Sequence, residues 1–114
     1  MRDDRLRLLD IVEAIELIEK YTDPGRAVFD ENELIRVWTL HHLEIVGEAC
    51  RGLSGAFRAS NEDEIWSDAV GFRNVLVHQY FGIDLEAVWQ VVVRDLPDLK
   101  RKALDIIAKY ERDS

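Results

Sequence analysis

Apolar residues recur every three or four positions along most of this chain, the spacing that places them on one face of an α-helix. The first such stripe runs through residues 4–21, with mostly charged residues between its apolar positions, and predicts an amphipathic helix there. Pro24 and Gly25 follow it. Because proline disfavours helical backbone at the preceding residue and glycine permits a turn, we expect the helix to end there and a connecting loop to follow.

A second, longer helix is predicted from Asp30 to about Leu53. Asp30 followed three residues later by Glu33 resembles the capping arrangement that begins many helices. The apolar residues of this helix fall on one broad face, namely Leu34, Val37, Trp38, Ile45, Val46 and Ala49. Glycines and a serine in residues 52–55 close the helix, and the polar stretch 60–64 leads to a third helix that begins near Ile65 or Trp66.

The last third of the chain predicts a fourth helix capped by Asp84, with a stripe through Leu85, Val88, Trp89 and Val92. Pro97 is tolerated only in the first turn of a helix, so we expect a break or kink near Asp95, which would cap a last helix. The pattern therefore predicts an all-α fold, an antiparallel four-helix bundle with an additional short C-terminal helix, forming a single domain over residues 1–114.

The composition of the chain indicates its expected compartment and the kinds of site that it can form. Acidic residues interrupt the first apolar run, so it fits neither a secretory signal nor a membrane span, and we expect a cytoplasmic protein.

The single cysteine, Cys50, cannot form an internal disulfide and is expected to pack in the core. His41 and His42 are adjacent and point about 100° apart on a helix. We therefore predict no metal site and no cofactor.

The formal net charge of −8 argues against nucleic-acid binding through a broad basic surface. Neutralising phosphates and releasing their counterions supplies most non-specific affinity for nucleic acids. Any contact with RNA must therefore be local, in a cleft where a few Arg or Lys side chains outweigh the general field. Such a cleft could be assembled from two subunits.

Residues 71–80, Gly-Phe-Arg-Asn-Val-Leu-Val-His-Gln-Tyr, bring four chemically active side chains into one predicted helix. With Arg73 at zero on a helical wheel, Tyr80 falls about 20° away, while Asn74 and His78 lie near about 100° and 140°. The guanidinium, amide, imidazole and phenol groups therefore form two adjacent columns on one side of the helix.

The other side of this helix carries Val75 and Leu76, which can anchor it in the core. We therefore expect Arg73 and His78 to project away from the core. One Arg and one His can bind an anion and transfer a proton, whereas cutting RNA needs phosphate stabilisation, a base and an acid. Two copies of the chain facing each other would supply the full set.

Structural roles explain the same residues simply. Arg73 can pair with a carboxylate, His78 can hydrogen-bond near a helix end, and Tyr80 can pack as a core aromatic with its hydroxyl at the surface. Spacing alone favours these structural roles over catalysis.

The run Arg-Asn-Val-Leu-Val-His-Gln-Tyr at positions 73–80 nevertheless resembles the signature of the HEPN superfamily, an Arg, a polar residue, a short spacer and then His-x-Tyr. Similarity to its HepT branch extends to residues 45–49, to Trp66, and to residues 84–89 and 95–97, so it spans nearly the whole chain. Glu64-Ile65 departs from the Ile-Pro pair expected there, which affects a loop and leaves the signature intact.

The resemblance implies a metal-independent ribonuclease toxin whose signature residues, from both subunits of a homodimer, line a shared cleft. It implies that the ribose 2′-hydroxyl of RNA is the nucleophile, that His78 transfers protons and that Arg73 clamps the phosphate. Asn74, about one turn from His78, would orient either His78 or the phosphate. It also implies a partner, a minimal nucleotidyltransferase antitoxin of the MntA type, which would attach AMP to Tyr80 and so block the cleft.

Two other functions stay open at this stage. The chain could be a non-catalytic HEPN module that docks on a nucleotidyltransferase or binds a nucleotide, which the net acidity favours slightly. It could also be a structural helical dimer. The intact set of Arg73, His78 and Tyr80 argues against both alternatives.

Overall fold

A computed structural model describes residues 2–78 and 82–113, and all regular structure within those ranges is helical, which confirms the predicted all-α class. The elements are α1 (Asp4–Thr22), α2 (Arg26–Glu31), α3 (Glu33–Arg51), α4 (Gly55–Ser60), α5 (Glu64–His78), α6 (Leu85–Gln90), a π-helical segment (Val91–Asp95) and α7 (Leu96–Arg112). Helix α1 packs against α3 and α7, and α3 also packs against α5. None of the helices in the described ranges is long and apolar enough to cross a membrane.

Helix α1 forms where its stripe predicts it. The Asp3 carboxylate accepts a hydrogen bond from the Leu6 backbone N–H at 2.9 Å and so caps the first turn. The apolar positions of the stripe are fully buried, namely Leu8, Ile11, Ile15 and Ile18. Gly25 follows with a φ of 117°, a backbone conformation that side chains rarely adopt, which explains why glycine stands at this turn.

The predicted loop after α1 is wrong, because residues 26–31 form the short helix α2. Phe29 of this helix is fully buried and packs on Trp89, with ring centroids 5.3 Å apart. Asn32, rather than Asp30, caps α3, since its side chain accepts from the backbone N–H groups of Leu34 and Ile35. The expected Asp30 cap is absent because α2 occupies that residue.

Helix α3 is the centre of the bundle. Its Trp38 indole donates to the Leu17 carbonyl of α1 at 2.8 Å, and Val46 and Ala49 are buried. The broad apolar face predicted for this helix is only partly buried, because Leu34 is 79% exposed and Val37 is 57% exposed.

The segment between α3 and α5, for which no helix was predicted, contains the short helix α4. The Ser54 hydroxyl caps α4 at the Phe57 N–H, and the Asp4 carboxylate of α1 accepts from both the Ser54 N–H and its hydroxyl. Phe57 is buried edge-to-face against Trp66, the first aromatic residue of α5, at 5.3 Å. These contacts fix α4 between the end of α3 and the start of α5.

Asp84 caps α6 as predicted, with its carboxylate accepting from the Glu86 and Ala87 N–H groups. Where a break or kink is expected near Asp95, the structure has a π-helical turn, in which the Leu96 N–H donates to the Val91 carbonyl five residues back. Asp95 makes no side-chain cap. Because Pro97 has no N–H to continue the ordinary ladder, the wider turn lets the helix proceed without a break. The C-terminal helix, expected to be short, has 17 residues.

Candidate functional site

Helices α3 and α5 approach each other closely where Gly47 faces Arg73. A Cβ atom added to Gly47 would lie 2.1 Å from the Arg73 Cβ and 2.7 Å from its Cγ. It would also lie 3.0 Å from the Ala69 carbonyl oxygen, so no larger residue fits without moving α5. Glycine in the middle of α3 therefore fixes the position of the Arg73 side chain.

The Arg73 guanidinium is held by two neighbours. Its Nη2 lies 3.3 Å from the Glu48 carboxylate of α3, and its Nη1 donates to the Asn74 side-chain oxygen at 3.3 Å. Its Nε is buried and has no hydrogen-bond partner among the described residues, and the side chain is 23% exposed. The expectation that Arg73 projects away from the core is therefore wrong, because its stem packs on Gly47 and only its tip reaches solvent.

Arg73, Asn74 and His78 line one open cleft with a volume of about 970 Å³. Asn74 and His78 are exposed, and His78 has no partner among the described residues. The remaining lining comes from the end of α3, from α4, from the α4–α5 connection and from α5, namely Arg51, Arg58, Asn61, Glu62, Asp63, Glu64, Trp66, Ser67 and Val70. Tyr80, the predicted modification site, lies outside the described residues.

The core side of α5 differs from the predicted one. Leu76 is buried as predicted, whereas Val75 is 43% exposed. Trp66 is buried, and Ala69 and Phe72 pack partly buried against the core. The buried side is therefore centred nearer to Arg73 than the motif alone indicates, which explains both the exposure of Val75 and the partial burial of Arg73.

The sequence pattern did not identify two arginines of the cleft, Arg51 and Arg58, as candidate site residues. Arg58 donates from Nη2 to the carbonyl oxygens of Cys50 and Arg51, at 3.3 and 3.0 Å, and so caps the C-terminal end of α3. Arg51 lies 3.8 Å from Glu48, the carboxylate that also contacts Arg73. The glycine-rich break at residues 52–55 separates the two arginines, so no helical periodicity relates them.

Acidic side chains also border the cleft, in residues 62–64. The Asp63 carboxylate accepts from Lys102 of α7 at 2.7 Å and from the Ile65 N–H at 3.0 Å. The hydrogen bond from Lys102, followed by that from Ile65, lowers the pKa of the Asp63 carboxyl below its ordinary value. Lys102 thus balances one of the acidic charges at this border.

His41, His42 and Cys50 lie outside the cleft. His42 is buried, with Nδ1 2.8 Å from the Trp38 carbonyl, whereas His41 is exposed. Cys50 is fully buried in the core, as predicted, and burial raises the pKa of its thiol to about 12. In the parts of the chain that the structure describes, no group of three or more His, Cys, Asp or Glu side chains could hold a metal ion.

The cleft can bind an anion and move a proton at the same place. Guanidinium groups grip phosphate oxygens with paired N–H donors and stay charged at all relevant pH values. A histidine imidazole exchanges protons near neutral pH. Both groups are present here on one helix, and the imidazole is open to solvent.

Comparison with known proteins finds relatives along nearly the whole chain. "Putative RNase MJ1380" of Methanocaldococcus jannaschii is 39% identical over 102 residues, covering 89% of this chain and 94% of that protein. "Probable ribonuclease HepT" of Thermococcus cleftensis is 37% identical over 99 residues, covering 83% of this chain and 87% of that protein. No solved structure gives a significant match.

A family model described as HepT-like ribonuclease matches residues 11–106. The matched range begins in α1, ends in α7 and includes Arg73, Asn74 and His78. The match covers most of the sequence, and each of the two relatives above is more than a third identical to this chain. The chain therefore belongs to the HepT-like ribonuclease family.

Proposed function

We propose that this chain is a metal-independent RNA endonuclease and the toxin of a toxin–antitoxin pair of the type VII kind. The observation that carries the proposal is the meeting of Arg73, Asn74 and His78 at one open cleft, in a member of a ribonuclease family. The ribose 2′-oxygen attacks the neighbouring phosphorus, and the bond to the 5′-oxygen breaks. The products are a 2′,3′-cyclic phosphate and a free 5′-hydroxyl.

In this mechanism His78 moves protons at the reacting atoms. An exposed imidazole can take the proton from the 2′-hydroxyl or give one to the departing 5′-oxygen. Arg73 stabilises the charge that develops on the phosphoryl oxygens. The Arg73 guanidinium contacts Glu48 in the structure. A bound phosphate would therefore displace the Glu48 carboxylate or share the guanidinium with it.

Asn74 has a positioning role in the proposal. Its side-chain oxygen accepts from the Arg73 Nη1 at 3.3 Å, which restrains the guanidinium at the surface of the cleft. The amide nitrogen of Asn74 is left to donate to a phosphate oxygen. The structure thus favours a link between Asn74 and Arg73.

The proposed active form is a homodimer. One chain contributes a single signature histidine, whereas the reaction needs a base for the 2′-hydroxyl and an acid for the 5′-oxygen. A second copy placed across the open cleft would supply the second imidazole. The overall charge of −8 adds a reason, because paired clefts would concentrate the few cations that face RNA.

We also propose that a minimal nucleotidyltransferase antitoxin silences the chain by attaching AMP to Tyr80. Tyr80 follows His78 by two residues in the sequence, within the run that resembles the HEPN signature. An AMP group brings a negative charge and a bulky adenosine, so it would compete with RNA for Arg73 electrostatically and sterically.

The decisive experiment incubates the purified protein with RNA in EDTA and analyses the ends of the products. We expect cleavage with cyclic phosphate ends, and a loss of at least about 100-fold in rate for His78→Ala. His41→Ala is the matched control, because His41 is also exposed but lies on α3 outside the cleft. A requirement for a divalent ion, or full activity of His78→Ala, would overturn the mechanism.

A further inference from the structure

The arginines of the cleft form a connected row. The Glu48 Oε2 atom lies 3.3 Å from the Arg73 Nη2 and 3.8 Å from the Arg51 Nη1, so one carboxylate oxygen bridges the two guanidinium groups. The carbonyl oxygen of Arg51 in turn accepts from the Arg58 Nη2 at 3.0 Å. Three positive side chains from α3, α4 and α5 thus line one cleft in a chain of strongly negative net charge.

Arg51 and Arg58 keep donors that no described residue uses. A guanidinium has five N–H donors, and the hydrogen bonds of Arg58 to described residues engage only Nη2. The side chain of Arg51 is 61% exposed, and its one ion pair is long at 3.8 Å, a contact that contributes little to stability. Both side chains therefore keep N–H groups that can bind an anion.

Two acidic residues of the cleft border, Asp63 and Glu64, make no ion pair with Arg73 among the described residues. Glu64 begins α5 nine residues before Arg73, which at 1.5 Å per residue places it about 14 Å away along the helix axis. Asp63 is paired with Lys102 of α7. Glu64 therefore lies well away from the proposed reaction site along α5, and Lys102 offsets the charge of Asp63.

The cleft is larger than one phosphate requires. Its volume of about 970 Å³ lies near the upper end of the range for small-molecule sites, roughly 300–1,000 Å³. A polymer that occupies it would bring more than one phosphate against the walls. The row of arginines is the part of the wall suited to receive them.

We infer that Arg51 and Arg58 form a second phosphate subsite, which binds the RNA backbone phosphate next to the one that Arg73 holds for cleavage. The inference rests on the proposed function, and it names the single-stranded RNA backbone as the ligand. Arg58 is held in place by the end of α3, whereas Arg51 exchanges its Glu48 contact for phosphate. The subsite fixes the register of the strand, so that the adjacent phosphate lies at Arg73 and His78.

The test is binding of a fluorescein-labelled oligouridylate with 2′-O-methyl groups, which the proposed reaction cannot cleave. Its dissociation constant is measured at several KCl concentrations for the wild type, Arg51→Gln, Arg58→Gln and the control Arg94→Gln. Arg94 is exposed on the π-helical segment, outside the cleft. We expect each cleft variant to bind several-fold more weakly and to reduce the salt slope by about 0.7, the single-strand value for one phosphate contact, with Arg94→Gln unchanged.

Unchanged slopes for both cleft variants, or no binding by the wild type, would overturn the subsite. Arg58→Gln removes a helix cap, so urea unfolding accompanies each measurement, and Arg51→Gln tests the subsite at an exposed position that caps nothing. ATP is titrated in parallel. If ATP binds as tightly as the oligonucleotide and both cleft variants weaken it equally, the row binds nucleotides and the inference is wrong.

The binding test and the cleavage test can fail separately. If the slopes fall as expected but the wild type cuts no RNA, the subsite stands and the proposed function fails. If RNA is cut with cyclic phosphate ends while the slopes stay unchanged, the function stands and the subsite fails.

Discussion

Gly47 and Arg73 are in direct contact across two helices, and the space for a side chain on the glycine is occupied by the Cβ and Cγ atoms of the arginine. The glycine lets α3 and α5 approach closely, and the approach places the proposed phosphate-binding guanidinium between Glu48 and Asn74. Gly47, which does not line the cleft, thereby determines where Arg73 lies.

Gly47→Ala should lower both stability and activity. Its Cβ would lie 2.1 Å from the Arg73 Cβ, and relieving such overpacking costs about 1–3 kcal/mol of unfolding free energy. The shift of α5 should also slow RNA cleavage. Gly71→Ala is the matched control on α5, where a new Cβ meets nothing within 4 Å, and it should raise the stability by about 0.5–1 kcal/mol. Urea unfolding measures the stability of both variants. A Gly47→Ala variant as stable as wild type would show that α5 can move away from α3 without an energetic cost.

Arg73 should contribute to folding as well as to catalysis, through different atoms. Arg73→Met keeps an aliphatic stem on Gly47 but lacks the charge, whereas Arg73→Ala loses both. We expect both variants to lose cleavage, and Arg73→Ala to be less stable than Arg73→Met by roughly 1–2 kcal/mol. Equal unfolding free energies for the two variants would contradict the packing role of the stem. His78→Ala, at an exposed position, should unfold like the wild type.

The sequence predicted the features that depend on local geometry. The stripe of α1 and the cap of α6 at Asp84 are properties of short stretches, and both are confirmed. Arg73, Asn74 and His78 open on one cleft because their angular relation is set within a single helix. Helices α2 and α4 were missed because six residues are too few to show a period.

The features that sequence could not predict depend on contacts between distant segments. Phe29 is buried because Trp89 lies against it, and nothing near Phe29 in the sequence indicates that partner. The partial burial of Arg73 likewise depends on Gly47 in another helix. The row of Arg51, Arg58 and Arg73 joins three helices, so no helical wheel could show it.

Cys50 should make the stability fall with rising pH in the alkaline range. Burial raises its pKa from 9.0 to about 12, so the unfolded chain loses the thiol proton before the folded chain does. The stabilising contribution is complete below pH 9 and is lost as the pH rises towards 12, by about 1.4 kcal/mol per pH unit at most. Urea unfolding of wild type and Cys50→Ala over this range isolates the effect, because other groups titrate in both. Parallel pH dependences would contradict it.

The active protein should be a dimer. Light scattering at micromolar concentration should give about twice the 13.2 kDa mass of one chain, and dilution should reduce the specific activity as the dimer dissociates. The physical reason is the need for a second proton-transfer group across the cleft. Full activity in a sample that scatters as a monomer would show that one copy is sufficient.

Tyr80 should be a regulatory residue and not an indispensable catalyst. A phenol ordinarily titrates near pH 10, so it is a poor base at neutral pH but can accept a nucleotidyl group once a partner enzyme activates it. Tyr80→Phe should therefore retain much of the RNA cleavage and toxicity, yet escape neutralisation by the cognate nucleotidyltransferase. Mass spectrometry of the co-expressed wild type should locate one or more AMP units on Tyr80. Tyr21→Phe, on α1 and outside the cleft, should be modified and silenced like the wild type. If the neutralised protein carries an unmodified Tyr80, or if Tyr80→Phe is silenced as completely as the wild type, inhibition acts through binding alone.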